Sequence, residues 1–188
     1  MIDPIPLMVY GRVGVGRSAL AVRLLRKHFI EYYDPTIVED NYCNKLTVDG
    51  KEFVLDILDV SSEDDYVIQK VSNMKQARGF LLVYDITDRS SFDVIDSCCD
   101  EILKARQKET NRSELQIVIC GNKCDLFDKR QVETSEGEEF ARSRGYDFFE
   151  TSTKTGENVE EAFAALVRRV IKQPVEQGPE NKGRCFIC

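Results

Sequence analysis

The sequence predicts an α/β protein: a mainly parallel sheet covered by helices on both faces, with one antiparallel edge strand. Three observations predict it. Strand-sized apolar runs alternate with helix-period segments along the chain. Asp49-Gly50 joins two strand-like runs in an early hairpin. Glycine-rich or polar motifs sit at strand exits, so they converge on the rim where such sheets bind ligands.

In chain order, "IPLMVYG" is a short apolar strand in which Pro6 is tolerated near the start, where a missing N–H costs little. "RSALAVRLLRKHF" places Leu20, Leu24 and Leu25 at helical spacing. "NKLTVDGKEFVLDILD" is the hairpin, and "GFLLVYD" (79–85) is the next strand. "SSFDVIDSCCDEILKARQK" opens with serines suited to capping a helix. "LQIVICGNKCD" is a strand with a polar exit, "TSEGEEFARSRG" a helix that Gly145 ends, and "YDFFETST" the last strand. In "NVEEAFAALVRRVIK", Val159, Phe163, Leu166, Val167 and Val170 form one apolar stripe, read as core packing. From Pro174 the chain turns polar and rich in Pro and Gly, which divides it into a folded domain over 1–172 and a flexible tail over 173–188.

A chain of 188 residues, 42% of them hydrophobic, buries one core without disulfides or structural metal. Its net charge of −7 opposes nonspecific nucleic-acid binding, so no nucleic-acid partner is expected. Seven cysteines, with no basic-then-apolar segment ahead of them, are expected as reduced thiols in the cytosol. The apolar runs fall far short of the roughly 20 residues a membrane span needs.

"GRVGVGRSAL" (11–20), between strand and helix, has the spacing of a phosphate-binding loop, Gly-x-x-x-x-Gly-Lys-Ser, with Arg17 at the lysine position. Such a loop turns backbone N–H groups toward phosphate oxygens, and the helix N-terminus adds a favourable dipole. The bland alternative is an ordinary glycine-rich turn. Arg17 keeps the positive charge, but its planar fork is bulkier than an ammonium. Ser18 stands where a hydroxyl can reach Mg2+. "GNKCD" (121–125) stands at the end of an apolar strand, and a carboxylate at Asp125 matches the N1–H and exocyclic amine of guanine, donors that adenine lacks there. Alone, Asn-Lys-x-Asp is also compatible with a solvated turn. "ETSTK" (150–154) leaves its strand toward the same rim.

The ordered set of phosphate loop, "YDPTIVED", "LDILDVSSEDDY", "GNKCDL" and "ETSTK" resembles the Ras family of small GTPases from about Leu7 to Lys172. The resemblance implies six strands with five helices, a guanine-nucleotide-binding P-loop domain over 1–172, and GTP or GDP bound with Mg2+. It also implies two switch segments, 30–42 and 59–78, that rearrange with the γ-phosphate and meet effector and regulator proteins, on a monomer. By the same resemblance, Gly14, Val15, Gly16, Arg17, Ser18 and Ala19 match the loop around the α- and β-phosphates, and Phe29 the aromatic residue across the guanine. Thr36 matches the switch I threonine that joins Mg2+ and γ-phosphate, and Asp59 the aspartate holding Mg2+ through water, with Ser18 the third metal residue. Asn122, Lys123 and Asp125 form the base pocket with Ser152, Thr153 and Lys154, and Glu63 stands at the catalytic glutamine.

Four departures gather around the γ-phosphate: Val13 for glycine, Arg17 for lysine, Ser62 for the glycine of Asp-x-x-Gly, and Glu63 for glutamine. Val13 crowds the space for an attacking water or an inserted arginine. Glu63 accepts hydrogen bonds but donates none, and it brings negative charge toward a charged phosphate. Ser62 keeps an N–H for the γ-phosphate but has fewer backbone angles for a rearranging switch. Slow hydrolysis and weakened coupling to switch II are the expectation. The extra residue in "TIVED" shifts Glu39 and Asp40 on the surface that effectors read.

"CFIC" at the end fits Cys-aliphatic-aliphatic-X loosely, and the resemblance implies prenylation of Cys185. Lys182 and Arg184 add a thin basic patch, so attachment is expected to be reversible, at the cytoplasmic face of the plasma membrane with a cytosolic pool. His28 has no ligand cluster around it in sequence and reads as a packing or surface residue; Cys98 and Cys99 read as packed or free thiols, and Glu160 and Glu161 as a solvated face. Three readings follow: a membrane-tethered Ras-like GTP-binding switch with weak turnover, a pseudo-GTPase scaffold that binds partners without nucleotide sensing, and a small-molecule P-loop kinase. The third is disfavoured because "GNKCD" has no task in it.

Overall fold

The computed structural model describes residues 3–26, 40–59, 67–106 and 115–172. Six strands form one sheet: β1 (Ile5–Tyr10), β2 (Asp40–Val48), β3 (Lys51–Asp59), β4 (Gly79–Asp85), β5 (Ile117–Asn122) and β6 (Asp147–Thr151). Their order across the sheet is β2-β3-β1-β4-β5-β6. Only β2 runs antiparallel to its neighbour, β3; the remaining pairs are parallel, as the alternation of elements predicts. Asp49 and Gly50 close the β2–β3 hairpin with φ of 51° and 77°, the two positive angles a tight primed turn demands.

The helices are α1 (Arg17–Arg26), α2 (Val67–Gln76), α3 (Arg89–Asp93), α4 (Ile95–Ala105), α5 (Thr134–Arg144) and α6 (Val159–Lys172). A 3-10 turn spans Cys124–Lys129. The five helices implied by the resemblance become six among the described residues because one of them is interrupted: Val94 (φ −91°, ψ −5°), though still right-handed, stands as a turn between α3 and α4. The serines expected to cap this segment lie inside its first turn. Asp88 is the cap, and its carboxylate accepts from the Ser90 N–H at 3.0 Å, while the Ser91 hydroxyl donates back to the Asp88 carbonyl at 2.7 Å. An aspartate directly before Arg-Ser-Ser takes that role because its oxygen reaches the N2 amide without a donor of its own competing.

Period-two alternation divides the core. Leu7 and Val9 of β1 and Leu81 and Val83 of β4 face α1 and α6, where they meet Leu20, Leu24, Phe163, Leu166 and Val170. Met8, Phe80, Leu82 and Tyr84 face the other way, toward Met74 of α2 and Ile95, Cys99 and Ile102 of α4. Each such side chain contributes about 1.5–3 kcal/mol by leaving water. The apolar stripe of α6 is therefore core, and Cys98 and Cys99 are buried packing thiols. Pro6 sits second in β1, and its carbonyl accepts from the Arg78 N–H at 2.7 Å. Gly145 ends α5 as expected, and Glu133 opens that helix through a reciprocal pair with Glu136. Among the described residues no helix is long and apolar enough to cross a membrane.

α2 and α4 are joined at the sheet's second face by a small polar cluster. The Glu101 carboxylate accepts from the Tyr10 hydroxyl at 2.6 Å and pairs with Lys70 at 2.6 Å, while the Lys70 ammonium lies 5.0 Å from the Tyr10 ring centre.

Candidate functional site

Parallel strands carry their carboxyl ends to one edge, and the expected motifs leave the sheet there. The loop after β1 reaches α1 through Gly11, Gly14 and Gly16, all at positive φ. Val15 turns inward and is 1% exposed, so it anchors the loop to the core, while Val13 points out at 67% exposure. Arg17, Ser18 and Ala19 form the first turn of α1, which leaves their amide end facing the loop. Arg12 crosses to the adjoining loop, where its guanidinium donates to the Ser90 hydroxyl and lies 4.0 Å from Asp88.

The base-side motifs are bound directly to this loop. Asn122, last residue of β5 and fully buried, donates from Nδ2 to the Val15 carbonyl at 2.8 Å and accepts at Oδ1 from the Thr151 hydroxyl at 3.3 Å. Lys123 follows in left-handed geometry (φ 66°), a conformation costing a lysine about 1–2 kcal/mol. Its ammonium donates to the Gly14 carbonyl at 2.9 Å and pairs with the Asp85 carboxylate at 2.6 Å. Asp125, second in the 3-10 turn, accepts from the Ser152 hydroxyl at 2.6 Å, which joins the two base-side motifs.

The loop after β6 is tightly folded on itself. The Ser152 amide donates to the Glu157 carbonyl, Gly156 donates to the Ser152 carbonyl, and the Thr155 amide donates to the Ser152 hydroxyl. Arg23 of α1 holds its far side through the Thr155 carbonyl at 2.9 Å. Thr153 is buried and Lys154 exposed, and among the described residues no group takes their two amides. At the root of this loop Glu150 forms a bidentate pair with Arg130, at 2.5 and 2.9 Å, and accepts from Thr134 at 2.9 Å. Burial, and next the Glu157 carboxylate, push the Cys124 thiol up to about 12, so it stands protonated between the two motifs.

The structure therefore brings Gly14, Val15, Gly16, Arg17, Ser18, Ala19, Asn122, Lys123, Asp125, Ser152, Thr153 and Lys154 onto one rim. Asp59 closes β3 beside Val9, at the same edge. Phe29, Thr36, Ser62, Glu63, Cys185 and His28 lie outside the described residues, as does all of switch I before residue 40 and switch II between 60 and 66.

The rim suits a nucleotide. A Cβ on Gly16 would be driven into the Asn122 carboxamide, so the loop already runs as close to the base motif as backbone allows. Asp125 carries a carboxylate suited to paired donors, and Ser18 in the first turn of α1 carries a hydroxyl of the oxygen type a hard divalent cation takes. Sequence reading missed Asp85, Arg23 and Arg130. Asp85 carries the signal that exposed Asn122, a polar residue closing an otherwise apolar strand, whereas Arg23 and Arg130 carry none.

A mixed sheet of this order, with a glycine loop after its first strand and base motifs after its last two parallel strands, has the architecture of a small GTPase G domain. The Ras family model matches residues 6–172. Ras-like protein rasB of Dictyostelium discoideum is 42% identical over 178 residues, which cover 95% of this chain and 88% of that protein. The chain belongs to the Ras family of small GTPases, whose members bind GTP and GDP, typically with Mg2+, generally hydrolyse GTP, and work with effectors and regulators.

Proposed function

We propose that this chain is a guanine-nucleotide switch with slow intrinsic GTP hydrolysis, tethered to a membrane through a prenylated Cys185. Residues 1–172 are its nucleotide-binding domain and 173–188 its flexible tail. The observation that carries the reading is the direct bonding of Asn122 and Lys123 to the carbonyls of Val15 and Gly14, which couples a guanine-type motif to a phosphate-type loop.

Gly14 to Ala19 hold the α- and β-phosphates by backbone N–H groups, with Arg17 supplying positive charge. Asp125 selects guanine, Phe29 packs against it, and the amides of Thr153 and Lys154 meet its oxygen. Ser18 and Thr36, with Asp59 through water, would hold Mg2+, which would supply charge neutralisation at the phosphates. Val13 crowds the site of an attacking water, and Glu63 adds repulsion where the family uses an amide, each lowering turnover without removing binding. Ser62 weakens the link between γ-phosphate and switch II. Segments 30–42 and 59–78 present the nucleotide state to effectors and regulators from the cytoplasmic face of the plasma membrane.

The protein purified without added nucleotide, denatured and assayed by ion-exchange chromatography is expected to release near-stoichiometric GTP. Mainly GDP refutes the slow hydrolysis. No guanine nucleotide, with no binding of a fluorescent GTP analogue in Mg2+, refutes the switch and leaves the scaffold reading, which Arg17 and Ser62 favour.

A further inference from the structure

We propose that Asp85 is a positioning residue for the nucleotide site, holding Lys123 across the gap between base and phosphates so that retention of guanine nucleotide depends on it. The inference rests on the guanine-nucleotide reading above and adds to it a residue outside every motif that reading uses.

Asp85 closes β4 and stands in register with Asn122 of β5, so its position is fixed by the ladder and not by a loop. Its side chain is 8% exposed. A carboxylate so buried is retained only with partners on its oxygens, and the partners divide in a telling way. Oδ1 accepts from the Thr87 amide at 2.8 Å and the Thr87 hydroxyl at 2.7 Å, which fix the carboxylate's orientation. Oδ2 is left for the Lys123 ammonium at 2.6 Å. The Asp85 amide also donates to the Ser91 hydroxyl at 2.9 Å, so the backbone that carries the group is itself held.

Lys123 needs such a hold. It sits in a left-handed conformation, at the first residue past the strand, with a long flexible stem and a point charge that has no preferred direction of its own. Asp85 supplies the direction from below and the Gly14 carbonyl receives the second donor from the side, so the ammonium spans the base motif and the phosphate loop. Without Asp85, Lys123 loses the anchor nearest the core and the Gly14 carbonyl becomes its remaining protein contact on this face. The left-handed turn and the loop then move more freely, and the bound nucleotide leaves faster.

The test is the dissociation rate of a fluorescently labelled GDP from the full chain in Mg2+ buffer, chased with unlabelled GDP. Loss of a buried charge partner acts mainly on the off-rate. Asp85→Ala is expected to release GDP about tenfold faster or more. Asp85→Asn keeps the size of the side chain and an acceptor for Thr87 but removes the charge. It is expected to release GDP nearly as fast as Asp85→Ala, and it serves as the primary variant if alanine does not fold. In a Lys123→Ala background, Asp85→Ala is expected to add less than about twofold, because its effect passes through Lys123. A rate for either variant within about twofold of the unsubstituted protein overturns the inference, and so does a full additive effect in the Lys123→Ala background, the mark of a merely structural residue. Tight binding by the unsubstituted chain with unchanged release from the variants overturns this inference alone. Failure of the unsubstituted chain to bind labelled GDP overturns the guanine-nucleotide reading and this inference with it.

Discussion

Replacing Gly16 by alanine tests the geometry that couples the phosphate loop to the base motif. Gly16 has φ of 95°, a region L-residues avoid, and adopting it costs about 1–2 kcal/mol. The added Cβ would also meet the Asn122 amide, which cannot swing aside freely because it is fully buried and bonded to Val15 and Thr151. Displacing it strands buried polar groups at about 1–3 kcal/mol. The combined loss of about 3 kcal/mol corresponds to a fall in Tm of about 6–12 °C for a chain of this size. Gly14→Ala is the control: its φ of 83° carries the same backbone cost, but among the described residues nothing beyond its chain neighbours lies within 4 Å of the added carbon. It should lower Tm by about 2–8 °C, less than Gly16→Ala measured side by side. Thermal unfolding followed by circular dichroism, on nucleotide-stripped protein in EDTA so that ligand binding does not enter, measures both. In an Asn122→Ala background the extra cost of Gly16→Ala should shrink to that of Gly14→Ala. Equal losses for the two glycines in the unsubstituted background refute the close approach of loop and carboxamide.

Glu150→Ala strips the partner from Arg130, in a pair whose side chains are 18% and 16% exposed, and should cost about 3 kcal/mol, a Tm drop of about 6–12 °C by calorimetry; Arg130→Met with Glu150→Leu should recover most of it. Burial pushes the Glu101 carboxyl up, but the hydrogen bonds from Lys70 and Tyr10 outweigh it and hold the group below the usual range. A depressed carboxyl stabilises above its unfolded pKa of about 4.3 and loses that contribution as pH falls through the folded value, so the Tm deficit of Glu101→Gln at neutral pH should vanish in acid. Val13→Gly with Glu63→Gln should raise single-turnover GTP hydrolysis by about 10²-fold or more, read as phosphate release; an unchanged rate would place the block elsewhere, with Arg17 the next candidate.

The strands were legible because burial on both faces leaves uninterrupted apolar runs such as "GFLLVYD", and the hairpin because Asp49-Gly50 is a local turn signal. The stripe of α6 was legible because one face of the helix is buried against the sheet and α1, which sets its period. The break at Val94 was not, since no proline or glycine marks it and the chain there obeys the packing of α3 and α4 against β4. Within the site, residue types at fixed spacing exposed Asn122, Lys123 and Asp125, but nothing local says that Lys123 adopts a left-handed backbone or that its ammonium meets Asp85 from another strand. Such pairings depend on which strands lie side by side, and spacing along the chain carries no record of that. Thr36, Ser62 and Glu63 lie outside the described residues.

The place of β1 in the sheet bears on how the chain is made. β1 precedes β3 and β4 in the chain, yet it lies between them in the sheet, pairing Ile5 with Leu55 and Leu7 with Gly79. Its apolar residues and open amides have no neighbour until those later segments emerge, while the β2–β3 hairpin can close at once from adjacent sequence. The phosphate loop hangs from that strand, so a nascent chain in which β4 has yet to emerge presents an unpaired apolar strand, and the loop gains its support only when β3 and β4 close on either side.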